Sequence, residues 1–119
     1  MPKTLLLIDD HRTFRTTARA LLEADGFHVV GEAADGGTGI SAELALHPDV
    51  VLVDVQLPDI DGFAVARAMT AGRNGGAPVV IVCSSSDDPL YPERALRSGA
   101  SGFVAKHDLC GTSLEPLLG

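Results

Sequence analysis

The sequence predicts an α/β protein in which five parallel strands alternate with helices. Short apolar runs rich in Val, Ile and Leu recur along the 119 residues, a segment of helical periodicity follows each run, and turn residues separate the two. Such apolar runs are typical of strands buried on both faces of a parallel sheet. We therefore expect residues 1–119 to form one doubly wound domain that buries about two thirds of the unfolded chain's surface.

The strands are predicted from runs of β-branched and other apolar residues, and four of them end on polar groups. The first run ends at Asp9-Asp10, the third at Asp54, the fourth at Ser84 and the fifth at Lys106. The ends of parallel strands meet at one edge of the sheet, where open α/β proteins place their sites. The predicted strands span residues 5–8, 27–33, 50–54, 79–83 and 103–106.

The helices are predicted from apolar residues at helical spacing, in segments that Gly, Pro and Asp residues begin or end. We expect a short last helix over residues 112–118, limited by Gly111 and Pro116, and a fourth helix that Asp87-Asp88-Pro89 cap and Pro92 opens. The apolar positions expected in helices one to four are, in chain order, Phe14, Ala18, Leu21 and Leu22; Ile40, Leu44 and Leu46; Phe63, Val65, Ala66 and Met69; and Leu90, Ala95 and Leu96.

Composition and charge exclude several classes of protein. Nine Lys and Arg against sixteen Asp and Glu give a formal charge of −7, which disfavours direct nucleic-acid binding. The apolar runs are too short for a signal peptide or a membrane span, so we expect no membrane partner and a cytoplasmic protein. Cys83 and Cys110 form no metal or redox motif, which fits a reducing compartment.

The polar strand ends suit a divalent cation and a phosphoryl group. We call Asp9, Asp10 and Asp54 the acidic cluster; carboxylates held together repel one another unless a cation lies among them. Mg²⁺ prefers one or two carboxylates, with waters and phosphate oxygens filling its octahedron. A carboxylate beside such an ion can form an aspartyl phosphate, while Lys106 neutralises one phosphoryl oxygen and Ser84 donates a hydrogen bond to another.

The ordered set of these residues resembles the receiver domains of two-component response regulators. It comprises Asp9-Asp10, the stretch 54–62 (DVQLPDIDG), Ser84 thirty residues after Asp54, and the stretch 103–106 (FVAK). The resemblance extends from residue 5 to about residue 118 and implies a flavodoxin-like fold with strand order 2-1-3-4-5. The stretches 10–15 (DHRTFR) and 31–36 (GEAADG) are most similar to receivers that usually precede a helix-turn-helix DNA-binding domain.

The resemblance implies specific roles at the strand ends. Asp54 would accept a phosphoryl group from a histidine kinase or phosphotransfer protein, and Lys106 would hold it. Ser84 and Phe103 would act as the switch pair, with Phe103 in place of the more common tyrosine, and the Gln56 and Ser86 positions would tune the lifetime of the phosphoryl group. Mg²⁺ or Mn²⁺ would be bound by Asp9, Asp10, Asp54 and the backbone carbonyl of Gln56.

It also implies the partners. We expect a single receiver domain that is not a turnover enzyme, signals through the face formed by helix 4, strand 5 and the last helix, and is a monomer or weak dimer. No output domain follows in the 119 residues. His107 follows Lys106 where many receivers have proline, so the loop after strand five is expected to differ in shape.

Three other functions are compatible with parts of the sequence. Residues 37–42 (GTGISA) match a dinucleotide-binding glycine pattern, although a turn at Asp35-Gly36 with Thr38 as a helix cap also explains them. A phosphatase acting through an aspartyl phosphate would carry a second carboxylate where this chain has Gln56. A receiver could also act unphosphorylated, as a protein-binding scaffold.

The four histidines, His11, His28, His47 and His107, lack metal-ligand spacing, and surface or capping roles are expected for them. His11 is the candidate to line the pocket because it follows Asp10.

Overall fold

Five parallel strands form one sheet in the order β2-β1-β3-β4-β5 in the computed structural model, which describes residues 2–73, 75–109 and 114–118. This confirms the doubly wound fold and the flavodoxin-like order 2-1-3-4-5. The predicted strand positions agree with the structure to within one residue at each end. The strands are β1 Thr4–Ile8, β2 His28–Ala33, β3 Val50–Asp54, β4 Val79–Ser84 and β5 Gly102–Ala105.

In the part of the chain that the structure describes, four α-helices and two single turns of 3₁₀ helix connect or follow the strands. Within the described residues, no helix combines the length and apolar character that crossing a membrane requires. The α-helices are α1 Arg12–Ala24, α2 Gly36–Leu46, α3 Gly62–Thr70 and α4 Tyr91–Arg97, and the 3₁₀ turns are Lys106–Asp108 and Glu115–Leu117.

Two apolar cores lie on opposite faces of the sheet, because alternate residues of a strand point to opposite faces. Leu6 and Ile8 of β1 pack in the core that includes residues of α3 and α4. Leu5 and Leu7 pack in the core that includes residues of α1, to which the C-terminal segment contributes the fully buried Leu114. The central strands are therefore covered on both faces.

The register of the sheet aligns those strand ends. β1 pairs with β3 as far as Ile8 and Val53, and β4 pairs with β5 as far as Ser84 and Ala105. Asp54, the last residue of β3, pairs with β4. The residues that follow β1 and β5 therefore emerge near Asp54 at the same edge of the sheet.

Of the three apolar residues predicted for α2, only Ile40 packs against the core. Leu44 and Leu46 are 57% and 45% exposed, while Gly36, Gly39 and Glu43 are buried. Gly39 lies so close to β1 that a Cβ on it would be 2.5 Å from Cδ1 of Ile8. The apolar pattern was incomplete because close packing of this helix requires residues without side chains at two buried positions, Gly36 and Gly39.

Glu43 is buried because a cation from outside the helix reaches it. Arg73, in the connection after α3, places its two terminal nitrogens 2.5 Å and 3.0 Å from the two Glu43 carboxylate oxygens. Such a two-point contact satisfies the carboxylate and compensates its removal from water. It ties α2 to the connection between α3 and β4.

The other differences lie at element ends. β5 stops at Ala105, so Lys106 opens a 3₁₀ turn instead of ending the strand. The N-cap of α4 is Leu90, whose backbone N–H donates to the Asp88 carboxylate at 2.9 Å, so only part of the predicted cap is used. Of the predicted last helix, residues 112 and 113 lie outside the described residues, and the part that is described contains the 3₁₀ turn Glu115–Leu117. Leu21 of α1 is 42% exposed, unlike the buried Ala18.

Gly39→Ala should destabilise the protein, by about 1–3 kcal/mol, because the added methyl overlaps Ile8 inside a packed core. The matched control is Gly37→Ala on the exposed face of α2, where the nearest atom to an added Cβ, Asp59 Oδ2, is 3.4 Å away. This control should be neutral or stabilising, since Ala favours helix over Gly. Urea unfolding followed by circular dichroism measures both, and equal stabilities of the two variants would contradict the close packing of α2.

Candidate functional site

The polar groups predicted at the strand ends come together at one edge of the sheet. Asp9 directly follows β1, Asp54 and Ser84 are the last residues of β3 and β4, and Lys106 directly follows β5. Asp9, Asp54 and Ser84 are nearly inaccessible to solvent, with 1%, 3% and 2% of their surface exposed. Burial of two carboxylates requires compensation by a cation.

Lys106 supplies this compensation. Its Nζ lies 2.6 Å from Oδ2 of Asp9 and 3.3 Å from Oδ2 of Asp54. The ammonium also lies 4.3 Å from the centre of the Phe14 ring, which favours a cation above its face. Lys106 therefore links the ends of β1, β3 and β5 through a single charge.

The pKa values of this ion-pair network follow from its burial. Burial and the nearby Asp9 carboxylate raise the pKa of Asp54 above its ordinary value, although Lys106 works in the opposite direction. Burial alone would lower the pKa of Lys106, but its contacts with Asp9 and Asp54 outweigh burial and raise it. The lysine therefore stays charged, while one cation only partly compensates the two carboxylates.

Asp10 and His11 form the open side of the site. The Asp10 side chain is 38% exposed and that of His11 is 66% exposed. Ligand atoms of Asp9, Asp10, His11 and Asp54 all lie within 4.8 Å of one another. His11 thus lines the pocket, as its position after Asp10 predicted.

The donors fit a divalent cation. The buried Oδ2 of Asp9 has no partner with hydrogen-bond geometry among the described residues, despite its short approach to Lys106. The three carboxylates nevertheless carry more negative charge than one ammonium neutralises, and a hard cation bound through their oxygens would compensate the excess.

The loop after β3 is held against the sheet and α2. Gly62 must lack a side chain, because a Cβ would lie 2.3 Å from the Asp54 carbonyl oxygen, and its N–H donates to Val55 at 2.8 Å. The Asp59 carboxylate accepts the N–H groups of Gly36 and Gly37 at the start of α2, at 2.8 Å each. These N–H donors lower the pKa of Asp59 to about 2. The predicted carbonyl ligand, Gln56, lies in this anchored loop.

Of the two predicted switch residues, Ser84 ends the strand next to β3, and Phe103 lies one strand further away, in β5. Ser84 Oγ accepts the N–H of Ser86 at 3.0 Å. Phe103 is half-buried, with its ring centre 6.0 Å from that of Tyr91 on α4, and Tyr91 in turn lies 5.5 Å from Phe63 on α3. The Ser84 hydroxyl is thus engaged within its own loop, and Phe103 contacts the helix that follows that loop.

Comparison with known proteins gives the family. Residues 5–109 match the response regulator receiver domain. The chain belongs to this family. A receiver domain is a signalling switch rather than a turnover enzyme, which confirms that prediction.

Related proteins share the receiver domain over most of this chain. The virulence-factor transcription regulator BvgA of Bordetella pertussis is 36% identical over 109 residues, which are 91% of this chain and 51% of BvgA. The receiver domain of the putative response regulator NarL from Mycobacterium tuberculosis is 34% identical, with a TM-score of 0.83 and coverage of 99% and 98%. A LuxR-family response regulator from Aurantimonas sp. SI85-9A1 is 28% identical, with a TM-score of 0.87 and coverage of 99% and 86%.

The chain spans about half the length of the curated relatives it matches. These relatives include transcription regulators, in agreement with the predicted resemblance to receivers that precede a DNA-binding domain.

The glycine pattern at residues 37–42 has a structural role in this receiver domain. Those residues form the start of α2, whose N-cap is Asp35, with its carboxylate accepting the N–H of Thr38 at 2.7 Å. The N–H groups of Gly36 and Gly37 are bound by Asp59. The donors that would cradle a pyrophosphate are therefore already used, and Thr38 is not the cap residue.

Sequence reasoning missed the support of Asp9 by Arg15. The Arg15 guanidinium donates to the Asp9 backbone carbonyl, and its Nε donates to Glu32 on β2 at 2.9 Å. Arg19 binds the other Glu32 oxygen, also at 2.9 Å. The signal was present in the stretches 10–15 and 31–36, which sequence analysis used only as marks of a receiver subgroup.

Without metal, the free energy of unfolding of the wild-type domain should fall relative to that of the Asp54→Asn variant as the pH rises. A group with a raised folded-state pKa contributes stability that is present below its unfolded-state pKa, about 4 for Asp, and is lost as the pH rises through the folded-state pKa. Urea unfolding in a chelating buffer, repeated over a pH series, measures the difference between the two proteins.

Asp59→Asn provides a control of opposite sign. The lowered pKa of Asp59 contributes stability above its unfolded-state pKa, so this variant should be less stable than wild type at neutral pH. If both substitutions shift stability in the same direction at neutral pH, the assigned electrostatics of the acidic cluster are wrong.

Proposed function

We propose that this receiver domain accepts a phosphoryl group on Asp54 from a histidine kinase or phosphotransfer protein. The observation that carries the proposal is the placement of a buried strand-end carboxylate, Asp54, beside Asp9 and within 3.3 Å of the Lys106 ammonium. The raised pKa of Asp54 supports the proposal because functional sites are where burial and neighbouring like charges shift the pKa values of reactive groups.

The metal in this proposal is Mg²⁺ or Mn²⁺, held by the acidic cluster and the backbone carbonyl of Gln56. When bound, the cation supplies charge neutralisation for the phosphoryl oxygens. The anchored loop after β3 supports this assignment, because Asp59 and Gly62 restrain the backbone on both sides of residues 56–58. A second carboxylate for acid–base catalysis, as in a phosphatase, is absent at Gln56.

In the transfer step, an Asp54 carboxylate oxygen attacks the phosphorus of the donor. The new O–P bond forms as the P–N bond of a phosphohistidine breaks, and the electron pair of that bond returns to the imidazole nitrogen. Lys106 then exchanges its contact with the Asp54 carboxylate for one with a phosphoryl oxygen. The chain's own contribution is to orient the nucleophile and hold a cation where negative charge accumulates.

In this proposal, switching depends on which group the Ser84 hydroxyl contacts, the Ser86 N–H or the phosphoryl group. The hydroxyl would leave the Ser86 N–H and donate to the phosphoryl group, drawing the loop after β4 inward. Phe103 would then move relative to Tyr91, which transmits the change to α4. A shift from a mostly inactive to a mostly active population requires roughly 3–5 kcal/mol of differential stabilisation. Gln56 and Ser86 would tune how long the phosphoryl group persists.

The output surface in this proposal is the face formed by α4, β5 and the C-terminal segment. Leu90, the N-cap of α4, and Leu96, within α4, are 60% and 61% exposed. These large apolar side chains are available for contact with a partner. The chain would act in the cytoplasm as a single domain, monomeric or weakly dimeric, and its −7 charge makes direct DNA contact unfavourable. A DNA-binding output domain would belong to a longer protein or a partner.

Asp54→Asn should abolish Mg²⁺-dependent labelling by acetyl phosphate, because the amide cannot form the acyl phosphate. Intact-protein mass spectrometry should show one added phosphoryl group on the wild type and none on the variant. Asp87→Asn, an exposed carboxylate in the loop after β4, is the matched control and should label normally. Full labelling of Asp54→Asn would overturn the site, and an unlabelled wild type would favour the scaffold function.

Lys106→Ala should accept the phosphoryl group but fail to switch, because the contact that reads the phosphoryl oxygen is missing. Amide NMR shifts of α4 and β5 on phosphorylation should be large in the wild type and small in this variant. Normal shifts in a fully labelled Lys106→Ala protein would remove the lysine from the mechanism.

A further inference from the structure

The guanidinium of Arg15 joins helix α1, strand β2 and the first residue after β1. Its Nη1 donates to the backbone carbonyl of Asp9, and its Nε donates to the Glu32 carboxylate of β2 at 2.9 Å. The Arg15 side chain is 14% exposed, so the guanidinium is largely removed from water. Two donors of one planar group therefore fix the position of the Asp9 carbonyl relative to β2.

The carbonyl that Arg15 holds belongs to the peptide unit between Asp9 and Asp10. A peptide unit is planar, so fixing its carbonyl also fixes the direction in which the chain continues to the Cα of Asp10. Asp9 itself is held by other contacts, since its N–H donates to the Ala33 carbonyl at 2.9 Å and its carboxylate lies 2.6 Å from Lys106. The Asp10 side chain, in contrast, is 38% exposed. Arg15 therefore acts chiefly on the placement of Asp10.

Glu32 holds the Arg15 guanidinium in place as a charged group. Arg19, one turn later on α1, donates to the second Glu32 oxygen at 2.9 Å and to the Val29 carbonyl at 3.2 Å. Burial alone would raise the pKa of Glu32, but its hydrogen bonds with Arg19 and Arg15 outweigh burial and lower it. Of the two arginines bound to Glu32, Arg15 is the one whose hydrogen bond reaches Asp9.

We propose that Arg15 is a positioning residue for the cation site, and that it orients Asp10 through the peptide between Asp9 and Asp10. This inference rests on the proposed function in assuming that the acidic cluster binds Mg²⁺. Removal of a residue that orients metal ligands without binding the metal typically weakens metal affinity roughly tenfold to a hundredfold. Arg15 thus lowers the Mg²⁺ concentration that phosphorylation requires, without contacting the phosphoryl group.

Charge and positioning predict opposite effects of removing Arg15. A positive charge beside the acidic cluster repels Mg²⁺, so its loss by itself would tighten Mg²⁺ binding. Loss of positioning weakens Mg²⁺ binding, because the cation alone must then order the Asp10 carboxylate. Arg15→Lys separates the two effects further, since lysine keeps the charge but lacks the planar, two-point donor. A purely structural role would lower the free energy of unfolding and leave the Mg²⁺ affinity of the folded protein unchanged.

The test is a titration of each folded protein with Mg²⁺, without any phosphodonor, followed by the NMR shifts of its backbone amides. We expect the Mg²⁺ dissociation constant to rise about tenfold in Arg15→Ala, and to rise also in the milder variant Arg15→Lys. The matched control is Arg19→Ala, which removes the other arginine bound to Glu32 and should leave the dissociation constant unchanged. Unchanged or tighter Mg²⁺ binding by both Arg15 variants would overturn the proposal, and so would an equal weakening in Arg19→Ala.

A second readout is the initial rate of labelling by acetyl phosphate, measured at rising Mg²⁺ concentrations. In Arg15→Lys the half-saturating Mg²⁺ concentration should rise while the maximal rate is retained, because the ligands are present but less well ordered. A lowered maximal rate at an unchanged half-saturating concentration would contradict a positioning role.

The titration also separates this inference from the proposed function. A wild type that binds Mg²⁺ but is not labelled at Asp54 would refute the proposed function, and the effect of Arg15 on Mg²⁺ binding would still decide the inference. A wild type that is labelled normally, with Arg15 variants that bind Mg²⁺ as tightly as it does, would refute the inference alone. A wild type that binds no Mg²⁺ would overturn both.

Discussion

The contact of one buried ammonium with two buried carboxylates is the constraint on which the site depends. Lys106 lies 2.6 Å from Asp9 and 3.3 Å from Asp54, and this joins the ends of three strands that are not all neighbours. Because one positive charge faces two negative ones, the edge of the sheet retains an excess of negative charge. That excess attracts a cation, and burial together with the neighbouring Asp9 carboxylate leaves Asp54 with a raised pKa.

The strand order determines how this contact can form. β4 lies between β3 and β5, and neighbouring strands are about 4.8 Å apart, so a group following β5 must cross the end of β4 to reach β3. Lys106 can do so because the strand has already ended and a 3₁₀ turn begins there. The end of β4 carries the small side chain of Ser84. The same topology therefore places Ser84 between the ends of β3 and β5.

The sequence predicted the fold and the cluster well because both rest on strong local patterns. Apolar strands that end on polar residues are visible without any long-range information, and the parallel sheet then brings their ends together. Contacts that join distant segments were missed: Arg15 with Glu32, Asp59 with the start of α2, and Glu43 with Arg73. Two of these contacts pair charged side chains and the third pairs a carboxylate with backbone N–H groups. All three join residues far apart in the chain, so no period or spacing marks them. The buried face of α2 was only partly predicted, because its buried positions carry glycine and glutamate rather than large apolar residues.

Three contacts cover parts of the acidic cluster and leave another part exposed. Arg15 covers the backbone of Asp9, the loop held by Asp59 closes the side after β3, and Lys106 covers the side of β5. A cavity of about 380 Å³ is lined by residues of α1, by Ser85 and by residues of the segment 106–109, and none of the three carboxylates lines it. The approach that remains passes Asp10 and His11, whose side chains are 38% and 66% exposed. Asp9 and Asp54 are buried, so solvent meets the acidic cluster at Asp10, the one member of the cluster that is exposed.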